Sequence, residues 1–171
     1  MGSWLNSDGL YIEFGPDEVT VVDGGEYKAF GALHEVEIEI PLASLSTSTQ
    51  LILSDTITIP NGARIEKVVL VVETAATSGG SATLDFGLID QDRTTELDYN
   101  GLVAALALAE MSDQGAVIEF INGADSTPAG ESGDGALVGT TLSNTGLLCA
   151  NANTAVFTAG RLKARIYWYN P

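Results

Sequence analysis

Two segments of this chain alternate strictly between charged and apolar residues, and the two carry opposite charges. Residues 35–40 read Glu-Val-Glu-Ile-Glu-Ile, and residues 161–166 read Arg-Leu-Lys-Ala-Arg-Ile. Successive side chains of a β-strand point to opposite faces, so each segment predicts a strand with one apolar and one charged face. Opposite charges across neighbouring strands help to fix their register. We therefore predict that the two strands are neighbours in one sheet and close a β-sandwich.

Short strands and glycine-rich turns are predicted along the rest of the chain. The turn Pro60-Asn61-Gly62 is typical, because proline fixes φ and Asn-Gly accepts positive φ. The predicted fold class is all-β: an antiparallel, jelly-roll-like β-sandwich at residues 34–171. Strands are predicted at residues 35–41, 50–53, 55–59, 64–74, 81–89, 116–121, 136–141, 146–150, 155–158 and 160–169.

One short helix is predicted at Gly101–Met111. Its leucines, valine and alanines recur at spacings of three and four, and alanine and leucine favour helices. Asp98 or Asn100 would cap it. We expect this helix to plug one end of the sandwich.

The segment 64–74 is the most apolar predicted strand. Its Val-Val-Leu-Val-Val run places apolar side chains on both faces, whereas a two-layer sandwich covers only one. We expect it to pair with the segment 81–89 as an antiparallel meander across the turn at residues 78–80. Its outward face is a candidate subunit interface, with Val69, Val71 and Glu73 as the contact residues.

Residues 1–33 differ from the body and are interpreted as an N-terminal arm or hairpin extension. Aromatic residues stand there among glycine, aspartate and proline, with little sustained periodicity, although Leu10–Phe14 and Val19–Val22 have the composition of short strands. Buried aromatic residues dominate protein interfaces. We expect the arm to bind a neighbouring subunit or partner; the alternative is that it folds back on its own domain. The predicted anchors are Trp4, Leu5, Leu10, Tyr11 and Phe14.

The chain is strongly acidic, with 23 acidic residues, 7 basic residues and a net charge of −16. Nucleic acids are bound largely through Lys and Arg, so we expect no nucleic-acid partner. The same charge disfavours anionic membranes. A protein partner is expected to present basic or apolar surface. The other interpretation is that the acidity only maintains solubility.

The sequence offers little for catalysis, and we expect no enzyme activity. His34 is the only histidine, and no Gly-x-Ser-x-Gly elbow accompanies it. Cys149 is the only cysteine and lies in an apolar run, which favours a buried, inert thiol. One cysteine and one histidine are too few for a zinc site.

Calcium is the one cofactor that the sequence leaves open. Asp90, Asp92 and Glu96 are weak candidate ligands in an acidic segment, and hard cations take several oxygen ligands. The segment lacks the spacing of an EF-hand loop, and the alternative is a solvated acidic loop. The same aspartates would serve a glycosidase only beside a sugar cleft, which the sequence does not indicate.

Several motifs resemble those of tailed-bacteriophage virion proteins. They are the opening WLNSDGLYI at residues 4–12, IPNGARI at 59–65, AATSGG at 75–80, TLDFGL at 83–88 and the ending from Phe157 to Tyr169. The resemblance implies a capsid decoration (cement) protein or a head- or tail-fibre component, commonly jelly-roll-like and often trimeric.

The leading hypothesis is therefore a homotrimeric decoration protein that bridges major capsid subunits. We expect synthesis in the host cytoplasm, because no signal peptide or membrane span is recognisable, and a final location on the capsid exterior. The alternative is a fibre component or host-glycan-binding module. That role needs an exposed aromatic platform near the Gly-rich loop at residues 122–135, and Phe120 is the nearest aromatic residue.

Overall fold

The computed structural model describes residues 33–121 and 135–170, together with the backbone of residues 3–5 and 11–13. The chain divides into two compact units, residues 1–30 and 31–171. In the first unit, strands β1 (Ser3–Leu5) and β2 (Tyr11–Glu13) pair antiparallel, with Trp4 opposite Ile12. Leu10 and Phe14, two of the predicted arm anchors, lie outside the described residues.

The second unit is built from two antiparallel sheets, as far as the chain is described. One sheet has the strand order β3-β11-β6-β9, and the other has the order β4-β10-β7-β8, with β5 also paired to β10. The strands are β3 (Leu33–Pro41), β4 (Leu51–Ile52), β5 (Thr58–Ile59), β6 (Arg64–Ser78), β7 (Thr83–Asp90), β8 (Glu96–Ala107), β9 (Val117–Ile121), β10 (Gly146–Asn153) and β11 (Phe157–Tyr169). Short 3-10 helices lie at Leu42–Ser44 and Leu108–Met111.

The two sheets pack face to face around one apolar core. Alternate residues of β11 and β6 enter this core, as the period-two pattern requires. Phe86 and Phe120 are its largest fully buried side chains. The all-β sandwich is therefore confirmed.

No helix in the described residues has the length and apolar character needed to cross a membrane.

The predicted pairing of the two charged segments is also confirmed. β3 and β11 are antiparallel neighbours over nine residue pairs, from Arg161 opposite Pro41 to Tyr169 opposite Leu33. Lys163 faces Glu39, and Arg165 faces Glu37. The apolar sides of both strands lie in the core, so burial and charge specify the same register.

The helix predicted at Gly101–Met111 is wrong, because most of this segment belongs to β8. Leu102, Val103 and Leu106 are fully buried, but two of the three irregularities in the pairing of β8 with β7 space them unevenly. One of these irregularities contains Ala105, at φ 53°. Bulges break the period-two pattern and leave spacings of three and four that imitate a helix.

Two further strand predictions fail. β6 and β7 do not form a meander, because the chain crosses between them from one sheet to the other. Both strands bury an apolar face, and a local turn signal does not distinguish a hairpin from such a crossing. The predicted strand at 136–141 is a series of turns with a single bridge from Thr141 to Arg64.

Gly87 lets the chain cross over the outer side of the second sheet. A Cβ atom at this position would overlap the carbonyl oxygen of Asp98 and lie 2.5 Å from the carbonyl carbon of Tyr99. Without that atom, Tyr99 packs with Ile89 and Cys149 in a second, smaller apolar cluster. The glycine therefore allows both faces of this sheet to be covered.

Candidate interaction surface

The outward face of the four-stranded sheet is the main candidate site, and we call it the ladder face. Strand register arranges its side chains in three rows of four across β3, β11, β6 and β9. The first row is Glu39, Lys163, Val71 and Val117; the second is Glu37, Arg165, Val69 and Glu119; the third is Glu35, Tyr167, Lys67 and Ile121.

Ion pairs connect the acidic column of β3 with the basic column of β11. Arg165 Nε donates to Glu37 Oε2 at 2.8 Å. Lys163 Nζ lies 3.3 Å from Glu37 Oε1 and 3.1 Å from Glu73 Oε1, so it joins β3, β11 and β6. At one end, Arg161 Nε is 3.2 Å from Glu39 Oε1. Each carboxylate of this network therefore lies beside a cation.

The contacts shift the pKa values of the charged groups in the expected directions. Hydrogen bonds from Arg165 and then Lys163 hold the pKa of Glu37 below its ordinary value. Hydrogen bonds to Glu73 and then Glu37 raise the pKa of Lys163. The charged state of each partner is favoured by the other. These side chains remain exposed enough for water to screen them, so the network contributes mainly to register and specificity.

The other half of the ladder face is more apolar. Val69 and Val71 are partly exposed in the centre of β6, and Val117 on the neighbouring strand is 65% exposed. Glu73 follows on β6 and binds Lys163. The three predicted interface residues of β6 therefore lie together on one outward surface, between the ion-pair network and β9. Their role as subunit contacts stays a prediction.

Lys67 and Glu119, which the sequence analysis did not single out, complete this surface. Lys67 Nζ donates to Glu119 Oε1 at 2.9 Å and lies 4.9 Å from the centre of the Tyr167 ring. Together these contacts connect three strands. Lys67, Val69 and Val71 are two residues apart along β6, and this spacing in the sequence places Lys67 on the same face as the valines.

The ladder face is nearly neutral although the whole chain carries a net charge of −16. Almost equal numbers of acidic and basic side chains lie on it, and most are in contact with one another. The acidic residues are Glu35, Glu37, Glu39, Glu73 and Glu119, and the basic ones are Lys67, Arg161, Lys163 and Arg165. A second acidic molecule would meet little repulsion here.

Two of the three candidate calcium residues, Asp90 and Asp92, shape the turn between β7 and β8, and Glu96 begins β8. Asp92 Oδ1 accepts hydrogen bonds from the backbone of Thr94 and Thr95, and Oδ2 accepts one from the Thr95 hydroxyl at 2.6 Å. These bonds, first of all that from the Thr95 hydroxyl, lower the pKa of Asp92 to about 2. Asp90 accepts a bond from the Asp92 backbone at 3.3 Å. Within residues 33–121 and 135–170, no group of three or more acidic, histidine or cysteine side chains is placed to hold a metal ion.

His34 and Cys149 both take part in packing. His34 stacks on Trp168, with the ring centres 5.5 Å apart. Cys149 is fully buried, and desolvation raises the pKa of its thiol to about 12. A thiol in that state is a poor nucleophile, and the interpretation of Cys149 as a buried thiol is confirmed.

The aromatic residue nearest the Gly-rich loop is also fully buried. Phe120 lies in the core and presents no platform for a sugar ring. Most of the loop itself, residues 122–134, lies outside the described residues, as do the side chains of Trp4, Leu5 and Tyr11. The roles predicted for those segments stay predictions.

Comparisons with known proteins give fold similarity alone. No family model and no curated protein matches the sequence. A chain of the cyanophage Pam1 capsid asymmetric unit is similar in fold, with a TM-score of 0.50 and 16% identity over 90% of this chain and 95% of that chain.

Two other phage capsid structures contain chains with TM-scores of 0.48. The chain from the capsid of Ralstonia phage GP4 is 18% identical, over 88% of this chain and 92% of that one. The chain from the acidic stable capsid of Helicobacter pylori bacteriophage KHP30 is 14% identical, over 82% and 90% of the two chains.

Proposed function

We propose that this protein is a structural component of a tailed-bacteriophage capsid that decorates the shell by bridging major capsid subunits. The observation that carries the proposal is the similarity to the Pam1 capsid chain, which extends over 90% of this chain and 95% of that one. The virion motifs in the sequence support the same role independently of the structure. A bridging protein acts by adding buried area across joints in the shell, and a standard specific contact buries roughly 1,600 Å².

The ladder face supports a part in self-association. A chain with a net charge of −16 repels other copies of itself, and this nearly neutral face with Val69 and Val71 at its centre lowers that repulsion. We propose a homotrimer that uses this face between subunits and is placed on the capsid exterior. The arm, through Trp4, Leu5, Leu10, Tyr11 and Phe14, then contacts the major capsid protein.

The arm is tested by deletion of residues 1–15 in the full chain. Because the deletion leaves the sandwich core intact, the variant should retain the thermal unfolding of the body but lose co-sedimentation with purified phage heads. Trp4→Ala with Tyr11→Ala provides a smaller change in the same segment. Undiminished binding by both variants contradicts the role of the arm.

The subunit interface is tested by Val71→Glu. The new carboxylate lies beside Lys163 in register, so the fold should tolerate it, whereas a partner subunit would have to bury it. Light scattering should give a lower mass than for the unmodified chain. Gln91→Glu adds the same charge at an exposed turn of the other sheet and is the control. Equal masses for all three proteins contradict the interface.

A further inference from the structure

Asp85 on β7 is the only buried charged residue in the part of the chain that the structure describes, with 8% of its surface exposed. Its two carboxylate oxygens have different partners. Oδ1 accepts the backbone N–H of Ala105 at 2.8 Å, and Oδ2 accepts a hydrogen bond from Asn153 Nδ2 at 3.3 Å. Asn153 Oδ1 in turn accepts the backbone N–H of Thr154 at 2.8 Å. One carboxylate therefore connects a bulge in β8 with the turn between β10 and β11.

The residues at the two ends of this connection both have strained backbone. Ala105 has φ 53° and Thr154 has φ 68°, and a β-branched residue such as threonine is rare in this left-handed conformation. Such conformations persist only where the surrounding structure enforces them, and they are frequent in segments that switch between states. The hydrogen bonds through Asp85 and Asn153 supply a constraint at both places.

A cleft of about 590 Å³ adjoins both strained segments. It lies between the end of β6, the start of β7 and the 3-10 helix that follows β8. Thr83 and Ala107 line the cleft and face each other in the pairing of β7 with β8, and Thr83 also faces Asn153 on β10. On the side of the turn, the Val156 carbonyl accepts a hydrogen bond at 2.7 Å from the hydroxyl of Ser78, which also lines the cleft. Movement of the bulge or of the turn therefore changes the walls of the cleft.

We propose that Asp85 couples the bulge at Ala105 to the turn at Thr154, so that the two segments open together and widen the cleft. Native proteins open locally in cooperative units, and a shared hydrogen-bond network extends such a unit across strands. Because the carboxylate is buried, breaking one of its contacts leaves polar groups unsatisfied and weakens the other contact. The coupling is a property of the single chain and does not depend on the proposed role in a capsid.

Asp85→Asn tests the coupling in one direction. The variant keeps an acceptor for the Ala105 N–H but places an amide donor against Asn153, which can accept from it only by turning its oxygen away from Thr154. Native-state hydrogen exchange of the full chain should show the Thr154 N–H exchanging about tenfold faster, the order of change that loss of one hydrogen bond produces. An unchanged Thr154 rate in the folded variant contradicts the coupling, because a purely local role of Asp85 would affect Ala105 alone.

Asn153→Ala tests the coupling in the other direction and removes less of the buried network. The bond between Asp85 and Ala105 stays in place, yet the Ala105 N–H should exchange about tenfold faster. Asn151→Ala is the matched control, because Asn151 lies directly opposite Asp85 in register but donates to the Ala152 carbonyl instead. Thermal unfolding verifies that each variant is folded. An unchanged Ala105 rate in Asn153→Ala, or an equal acceleration in the control, overturns the coupling even where Asp85→Asn does not fold.

Opening of the cleft is measured with Ala82→Cys, at a position that lines the cleft and is 1% exposed. The native Cys149 is fully buried, so the new thiol is the one that reports on the cleft. With Asn153→Ala in the same chain, iodoacetamide should modify this thiol about tenfold faster than with Asn151→Ala, in proportion to the change in local opening. Equal rates in the two proteins would show that the connection through Asp85 does not control the cleft.

Discussion

Arg165 lies directly opposite Glu37 in the pairing of β11 with β3, and its Nε donates to Glu37 Oε2 at 2.8 Å. Lys163 reaches the same carboxylate diagonally, at 3.3 Å from Oε1. Glu37 is thus held by both basic residues, and the direct neighbour makes the shorter contact. This arrangement joins the beginning and the end of the sandwich in one register.

Reversing this pair tests whether the two side chains are coupled. Glu37→Lys should lower the free energy of unfolding, because it places a third cation beside Lys163 and Arg165. Adding Arg165→Glu should restore part of the loss, since the opposite charges again face each other. A double-mutant cycle in denaturant unfolding measures the coupling. Strictly additive effects would show that the contact contributes nothing to stability.

Gly87→Ala should destabilise the protein by at least about 2 kcal/mol, since the new methyl group would overlap the backbone at Asp98 and Tyr99. A flexible side chain could move aside, but backbone in a paired strand cannot. Gly79→Ala is the matched control, because a Cβ atom there meets nothing within 4 Å. Urea unfolding compares the two variants. Equal stabilities would contradict the close approach of β8 to β7.

Ala105→Gly should raise the free energy of unfolding by about 0.5–1 kcal/mol. Ala105 has φ 53°, a conformation that costs residues with a side chain about 1–2 kcal/mol, which exceeds the entropic cost of glycine, about 0.5–1 kcal/mol. Asp85 holds this bulge by accepting the Ala105 N–H at 2.8 Å. Ala104→Gly, one residue earlier in the same strand, should instead lower stability. A loss of stability in both variants would contradict the strained conformation.

The turn between β7 and β8 should make stability depend on pH through Asp92. Its pKa is lowered from 3.8 to about 2 in the folded protein, so the ionised group stabilises the fold above pH 4. This contribution is lost as the pH falls from about 4 to about 2. Asp92→Asn should therefore show a smaller change in unfolding temperature across that window. An NMR titration midpoint near 4 for Asp92 would contradict the prediction.

The sequence predicts this fold best where one physical pattern acts alone. In β3 and β11, the period of two and the opposite charges both require the same pairing, and the structure has it. In β8, the irregularities opposite Asp85 and Gly87 depend on contacts with β7, which a linear pattern does not contain. The crossing from β6 to β7 likewise depends on which sheet each strand joins.

The candidate interaction surface was predictable only where it depends on the period of two along a single strand. Val69, Val71 and Glu73 share one face through their spacing along β6, so the sequence placed them together. Lys67 and Glu119 meet only because β9 pairs with β6, which is a long-range choice. The ladder face is nearly neutral because charged residues from four strands lie side by side on it. No single segment of the sequence shows this balance of charge.

The central proposal is that this protein decorates a phage capsid, and binding to the shell tests it most directly. The unmodified chain is mixed with purified phage heads that lack it, and the bound amount is measured by co-sedimentation over increasing concentrations. The proposal predicts saturable binding at a fixed number of copies per head. A chain that stays in the supernatant at every concentration would contradict it.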